Sequence, residues 1–132
     1  MVSLSYKVNT FASVWIENKG KGKFLIHNLP NLAQLSSIND IAEMDYMGKS
    51  YVIGGNLYNS EVQTPRNDAS VGLVMKYDKD SGMYAVPPSE SGLMVKGEIR
   101  RIIPIQLSNG KHALLFGISN SGLKLIEINS NQ

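Results

Sequence analysis

The sequence predicts an all-β fold of short antiparallel strands, on the evidence of its turns, its apolar runs and an internal repeat. Gly, Asn, Asp and Ser interrupt the chain about every 8 to 15 residues, a spacing typical of sheets built from short strands. The apolar runs between these turns are too short for helices and suit strands that are buried on both faces. These runs lie at 14–16, 51–53, 73–75, 102–103 and 114–116.

In chain order, the first predicted strand lies near residues 4–8, and about nine more follow. The turns at 18–22, 78–82 and 108–110 contain residues that tolerate positive φ, so each predicts a hairpin. The segment 29–39 has some helical character, but Pro30 and a serine pair argue against a helix. Residues 123–128 alternate between apolar and polar, which is typical of a strand at a sheet edge.

The internal repeat indicates how the strands are grouped. Residues 13–28 align with 73–88 at a shift of 60, so that Val14 matches Val74. Residues 38–56 align with 99–118 at a shift of 62, so that Val52 matches Leu114 and Gly55 matches Gly117. Two hairpin types that alternate in this way predict four-stranded antiparallel blades of the β-propeller type.

We therefore expect a single all-β domain over residues 1–132, made of about two and a half blades. Its parts are a half-blade at 10–30, a blade at 38–88 and a half-blade at 98–130. A stack that stops there leaves an apolar sheet face uncovered at each end. The sequence thus predicts either a homo-oligomer, in which one copy completes the half-blade of the next, or a longer parent chain.

Composition excludes several classes of protein. The hydrophobic fraction of 42%, the charged fraction of 18% and the net charge of +2 indicate a folded domain with no nucleic-acid-binding character. The chain has no Cys, which excludes disulfides, thiolate nucleophiles and Cys-ligated zinc. No apolar run approaches the ~20 residues of a membrane helix, so we expect no membrane insertion. Residues 1–9 do not resemble a signal peptide.

Catalytic patterns are missing from the sequence. His27 and His112 fall in hairpin strands, where they suit surface or half-buried positions. Gly54-Gly55 ends a strand without a following helix, which excludes a phosphate-binding loop of the usual kind. We therefore expect no enzymatic activity. Lys19, Lys21 and Lys23 share one turn and indicate a solvated loop or a protected edge, with a weak surface for an anionic polymer as the alternative.

The polar insertion at 56–70 is the best candidate for a binding site. It concentrates hydrogen-bonding side chains, namely Asn56, Tyr58, Glu61, Arg66 and Asp68. In the structural interpretation, Arg66 pairs with Glu61 or Asp68 and fixes the loop. In the functional interpretation, the loop binds a small polar ligand such as a carbohydrate, with Tyr58 as a stacking face.

Several motifs resemble those of one known family. They are Glu17-Asn18 with Gly22-Lys23-Phe24, then Gly54-Gly55-Asn56-Leu57-Tyr58, Asp68-Ala69-Ser70-Val71-Gly72 and Gly97-Glu98-Ile99-Arg100. From about Thr10 onward, the chain resembles the C-terminal region of bacterial VCBS/FG-GAP-type repeat proteins. The resemblance implies propeller blades in an extracellular or cell-envelope protein that serves as a scaffold or an adhesion module, with calcium in some blade loops.

The chain departs from that family at its acidic loops. Calcium requires about 6–8 oxygen ligands, and the matching segment 45–50 offers one carboxylate and one lysine. Asp78 and Asp80 are the remaining carboxylate pair, so the sequence predicts no strong calcium site and no cofactor. The predicted function is a non-enzymatic module that contacts protein or glycan. The alternatives are an enzyme whose active site forms at an oligomer interface, and a purely structural assembly subunit.

Overall fold

The computed structural model describes residues 5–45, 48–60 and 63–129, and within these ranges the chain is all-β, as predicted. The strands are β1 (Val14–Gly20), β2 (Lys23–Asn28), β3 (Ile38–Asp45), β4 (Lys49–Gly55), β5 (Leu73–Asp78), β6 (Gly82–Val86), β7 (Ile99–Gln106), β8 (His112–Ile118) and β9 (Gly122–Glu127). The helical elements are a 3-10 turn at Asn31–Gln34 and α1 at Pro88–Ser91. Neither could cross a membrane, and the described ranges hold no helix that could.

The predicted strand near residues 4–8 is wrong over the part that the structure describes. Residues 5–8 have no regular secondary structure, and Tyr6 and Val8 are 89% and 64% exposed. A strand needs a paired neighbour and a face to bury, and neither is present here. Leu4 lies outside the described residues.

The strands form three antiparallel sheets in chain order. Sheet 1 is β1-β2, sheet 2 is β3-β4-β5-β6 and sheet 3 is β7-β8-β9. Strand β9 pairs with β8 alone in the described part of the chain, so it lies at a sheet edge, where its alternating pattern placed it. A four-stranded sheet is present, whereas a closed propeller is not detected among the described residues.

Two apolar cores lie against the two faces of sheet 2. The core between sheets 2 and 3 contains Val52, Val74, Ile102 and Phe116, each at most 5% exposed. The core on the other face of sheet 2 consists of Ile53, Leu73 and Met75 with Leu29 and Ala33 of the segment after β2, and Trp15 of sheet 1 packs against it. The central strands β4 and β5 are therefore buried on both faces, which explains their continuous apolar runs at 51–53 and 73–75.

Sheets 2 and 3 contain the same irregularity near the start of their first strand. The register shifts between Ile38 and Asp40 in β3, and between Ile99 and Arg101 in β7. After the shift, Ile41 pairs with Ile53, and Ile102 pairs with Phe116. The repeat that the sequence predicts is thus present in the register, with a β-bulge at the same place in each sheet.

The observed pairing also corrects the alignment made from the sequence. The counterpart of Gly117 is Gly54 and not Gly55, because Gly54 pairs with Asp40 directly after the bulge of β3 and Gly117 pairs with Arg101 directly after the bulge of β7. By the same count, Val52 matches Leu115 and not Leu114. A shift of one residue matters because successive side chains point to opposite faces of the sheet.

Two polar side chains of β3 tie sheet 2 to sheet 3. Asn39 Nδ2 donates to the carbonyl oxygen of Ile99 at 2.9 Å, and the backbone N–H of Ile102 donates to Asp40 Oδ2 at 2.7 Å. These bonds occupy backbone groups of β7 close to its bulge, where the ladder is interrupted. They fix the relative position of the two sheets beneath the candidate site.

Candidate functional site

The loop that connects β4 to β5 is held at its base by Asn56. The Asn56 side chain donates to the carbonyl oxygens of Ser70 (2.7 Å) and Gly97 (2.9 Å), and its Oδ1 accepts from the Ser70 N–H at 3.0 Å. Its backbone N–H donates to the carbonyl oxygen of Ser37 at 3.2 Å. Asn56 is fully buried, and its φ of +85° is one that Asn tolerates better than most residues.

This geometry corrects the expectation that Asn56 contacts a ligand. Both N–H groups of the amide and its oxygen are engaged within the protein, and the residue has no exposed surface. Buried polar groups in such networks fix a conformation. Asn56 is thus a structural residue, as the alternative interpretation of the loop predicted for this part of it.

The two glycines before Asn56 allow the close approach that this network needs. A Cβ at Gly55 would lie 1.6 Å from the carbonyl oxygen of Ser37, and one at Gly54 would lie 2.8 Å from side-chain carbons of Ile99. No side chain fits at the first of these positions without moving the backbone. The Gly-Gly-Asn motif therefore allows sheet 2 to pack closely against its neighbours.

Above this base, the loop closes on itself. Leu57 and Asn67 form an isolated bridge, with N–H···O distances of 2.8 Å and 3.0 Å. Ser36 Oγ also donates to the carbonyl oxygen of Asn67 at 3.1 Å, and Ser60 Oγ donates to that of Thr64 at 3.0 Å. The β4–β5 loop is therefore held by hydrogen bonds between its own residues, as expected for a connection of this length.

Tyr58 and Arg66 come together at the surface of the loop. The Arg66 guanidinium carbon lies 5.2 Å from the centre of the Tyr58 ring, within the range of a cation–π contact. Arg66 and Asp68 are exposed and form no ion pair with each other, so that part of the predicted pairing is wrong. Glu61, the other predicted partner of Arg66, lies outside the described residues.

A buried carboxylate that the sequence did not reveal supports the loop from below. Glu98 is 1% exposed, and its Oε1 accepts from Arg100 at 2.8 Å and from the Tyr58 N–H at 3.4 Å. Glu98 thus links the start of sheet 3 to the backbone of Tyr58. The sequence signal was indirect: an acidic and a basic residue stand two positions apart in Glu98-Ile99-Arg100.

The site as a whole presents a tyrosine ring, a guanidinium and a carboxylate on a fixed base. Of the predicted residues, the structure brings Tyr58 and Arg66 into contact and leaves Asp68 exposed on the same loop. An aromatic face next to hydrogen-bond donors and acceptors is typical of sites that bind a polar ligand such as a sugar.

The other candidate residues, Asp78 and Asp80, form the β5–β6 turn. Asp78 Oδ1 accepts from the N–H groups of Ser81 and Asp80, both at 2.9 Å, and these bonds hold the pKa of Asp78 below its usual value of 3.8. The Asp78 oxygen thus serves the turn itself. Within the described ranges, no three of His, Cys, Asp and Glu come close enough to hold a metal ion.

A second polar cluster lies on sheet 1. The His27 ring stacks on Trp15 with centroids 4.3 Å apart, and its Nε2 lies 3.2 Å from Glu17 Oε2. A hydrogen bond from Lys19 lowers the pKa of Glu17. The cluster pairs neighbouring residues across one hairpin, as the interpretation of His27 as a half-buried strand residue suggested.

No protein-family model, curated protein or solved structure matches this chain.

Proposed function

We propose that the chain is a non-enzymatic, propeller-type module of the VCBS/FG-GAP kind that binds a glycan or protein through the loop at 56–70. The observation that supports this most directly is the contact of Arg66 with Tyr58 on a loop whose base is locked by Asn56. A site with a rigid base loses little conformational entropy when it binds.

The chemistry of the loop favours a polyhydroxylated or acidic ligand. The half-buried ring of Tyr58 offers stacking to the apolar side of a sugar ring, while the exposed Arg66 offers N–H donors in a planar fork. Asp68 is exposed and accepts hydrogen bonds from hydroxyl groups. We favour a glycan over a protein segment as the ligand, because Tyr58, Arg66 and Asp68 lie on one loop and form a small site.

Binding to an immobilised glycan panel tests this proposal, with Tyr58→Ala and Arg66→Ala as the variants. The matched control is Tyr84→Ala, since Tyr84 is 42% exposed and lies on the β5–β6 hairpin, away from the loop. Loss of glycan retention in both loop variants, with unchanged thermal unfolding, supports the proposal. If Arg66→Ala instead lowers the melting temperature while glycans are retained as before, the loop is only a structural tie.

The propeller-type arrangement is the second part of the proposal. It is supported by two observations: sheets 2 and 3 each have a β-bulge at the equivalent place, and they pack face to face in chain order, as blades do. A location outside the cell or in its envelope follows from the family resemblance. The role of assembly subunit is favoured by a separate observation, namely the apolar side chains exposed on the outer sheets.

A further inference from the structure

The three arginines of the chain all belong to the β4–β5 loop or to the start of β7, which supports that loop. Arg66 lies against the Tyr58 ring, and Arg100 donates to Glu98 Oε1, the atom that also accepts from the Tyr58 N–H. Arg101 follows in β7. Neither the loop nor β7 contains a lysine, so guanidinium groups supply all the positive charge of these two segments.

Arg100 and Arg101 lie at the β-bulge of β7, where the register shifts between Ile99 and Arg101. A regular strand directs consecutive side chains to opposite faces, and a bulge interrupts that alternation. The two side chains are 52% and 72% exposed. Both guanidiniums therefore reach solvent beside Glu98, the residue that supports the loop.

The equivalent bulge of sheet 2 has a different role. Counting from the residue before each bulge, Asn39 and Asp40 are the counterparts of Arg100 and Arg101. Asn39 and Asp40 bind backbone groups of β7 and so tie the two sheets together. Sheet 3 has two longer, cationic side chains at this place, so its bulge presents positive charge to solvent.

The acidic partners of these two arginines lie beneath them. Glu98 is 1% exposed, and Asp40, whose Oδ2 is 3.7 Å from Arg101 Nε, has 16% of its side chain exposed. An ion pair as long and as exposed as that of Arg101 contributes little to stability, so packing does not explain this residue. Among the described residues of the loop, Asp68 is the exposed carboxylate. The exposed charge around the site is therefore mainly positive.

We propose that the loop site binds an acidic saccharide, that is, a sugar with a carboxylate or a sulfate, and that Arg100 and Arg101 bind its anionic group. A guanidinium presents its N–H donors in a planar fork, which matches an oxyanion in two parallel hydrogen bonds. The inference rests on the proposed function, because it names the ligand class of the same site. It extends that site from the loop to the first residues of sheet 3.

Retention on two matched pairs of immobilised saccharides tests the ligand class. Oligogalacturonate is compared with its methyl ester, and dextran sulfate with dextran, so that the members of each pair differ in the anionic group. The variants are Arg100→Gln and Arg101→Gln. The matched control is Lys111→Gln, because Lys111 is 54% exposed, pairs with an acidic residue and lies in the turn at the far end of β7.

The native protein should retain the charged member of at least one pair and not the uncharged member. Each arginine variant should bind the charged saccharide at least about tenfold more weakly, because it loses a charge-assisted hydrogen bond, whereas Lys111→Gln should bind like the native protein. Arg100→Lys keeps the charge without the planar fork and should recover only part of the affinity. The pair that is retained identifies carboxylate or sulfate as the group bound.

Equal retention of the charged and uncharged members, lost in Tyr58→Ala, would overturn the acidic ligand and leave the proposed function standing. Unchanged binding in both arginine variants would overturn the role of β7. If none of the four saccharides is retained, the inference fails, and the broader glycan panel then decides separately whether the loop binds glycans at all. Thermal unfolding verifies the fold; should Arg100→Gln not fold, because it leaves Glu98 buried without its partner, Arg101→Gln decides the test.

Discussion

The amide of Asn56 and the backbone of Ser70 exchange two hydrogen bonds, at 2.7 Å and 3.0 Å, across the whole β4–β5 loop. Through this pair, one side chain determines where the loop leaves sheet 2 and where it returns. The same amide reaches Gly97 ahead of sheet 3, so the loop, sheet 2 and the approach to sheet 3 meet at one residue.

Asn56→Ala is therefore expected to destabilise the fold strongly. It removes three side-chain hydrogen bonds and leaves buried partners unsatisfied, at a cost of about 1–3 kcal/mol for such a group, and Ala tolerates the positive φ less well than Asn. Chemical denaturation measures the change. Asn56→Gly relieves the φ and loses the same bonds, so a free energy of unfolding equal to that of the native protein in Asn56→Gly would contradict this role.

Gly55→Ala should be among the most damaging single substitutions in the chain. The added Cβ would lie 1.6 Å from the Ser37 carbonyl oxygen, which forces sheet 2 and the preceding segment apart. Gly117→Ala is the matched control, since its Cβ would have its nearest neighbour at an ordinary 3.6 Å. We expect a soluble, folded Gly117→Ala protein and a Gly55→Ala protein that loses several degrees of melting temperature or does not fold. Equal melting temperatures for the two would refute the close approach.

Phe116→Ala should lower the free energy of unfolding by about 3–5 kcal/mol, because Phe116 is 0% exposed at the centre of the core between sheets 2 and 3. Phe11→Ala serves as the control, since Phe11 is 92% exposed and should change stability by less than about 0.5 kcal/mol. Urea titrations of both variants give the comparison. A small effect at Phe116 would mean that the two sheets do not pack on each other in solution.

Asp78 should contribute to the dependence of stability on pH. Hydrogen bonds from Ser81 and Asp80 lower its folded-state pKa below 3.8, so its stabilising effect is complete above that value and is lost as the pH falls through the lower, folded-state pKa. Asp78→Asn retains an acceptor for the turn but cannot titrate. Denaturation midpoints between about pH 2 and pH 6 should fall less steeply for Asp78→Asn than for the native protein; parallel curves would exclude a contribution from Asp78.

Local chemistry determines most of what the sequence could predict about the fold. The hairpins follow from turn residues such as Asp78, whose carboxylate bonds the turn, and Gly82, whose φ is +75°. The edge position of β9 follows from its alternation. These are interactions between neighbours in the chain, and a sequence displays them directly.

Register, in contrast, could not be obtained from an ungapped comparison. The bulges after Ile38 and Ile99 lie at the same place, but five residues separate β7 from β8 and only three separate β3 from β4. A constant shift therefore matches Val52 with Leu114, although Leu115 lies in its place. Such an error exchanges the two faces of the sheet. The exposed apolar side chains of sheets 1 and 3 became apparent only from the structure.

The candidate site, like the fold, could be predicted only in part from the sequence. The sequence indicated that Tyr58 and Arg66 either bind a ligand or stabilise the loop, since Tyr and Arg side chains form several kinds of contact. It could not show that Asn56 is wholly buried, or that Glu98 reaches the Tyr58 N–H from the next sheet, 40 positions along the chain. Burial and contacts at that separation depend on how sheets 2 and 3 pack.

The closed base of the β4–β5 loop makes it a natural attachment point for foreign peptides. Because Asn56 and Ser70 fasten the two ends to each other, the intervening residues can be exchanged while the strands on either side keep their positions. A peptide epitope or a reporter tag inserted between them would be displayed on a stiff platform, and new recognition properties could arise there by sequence drift alone.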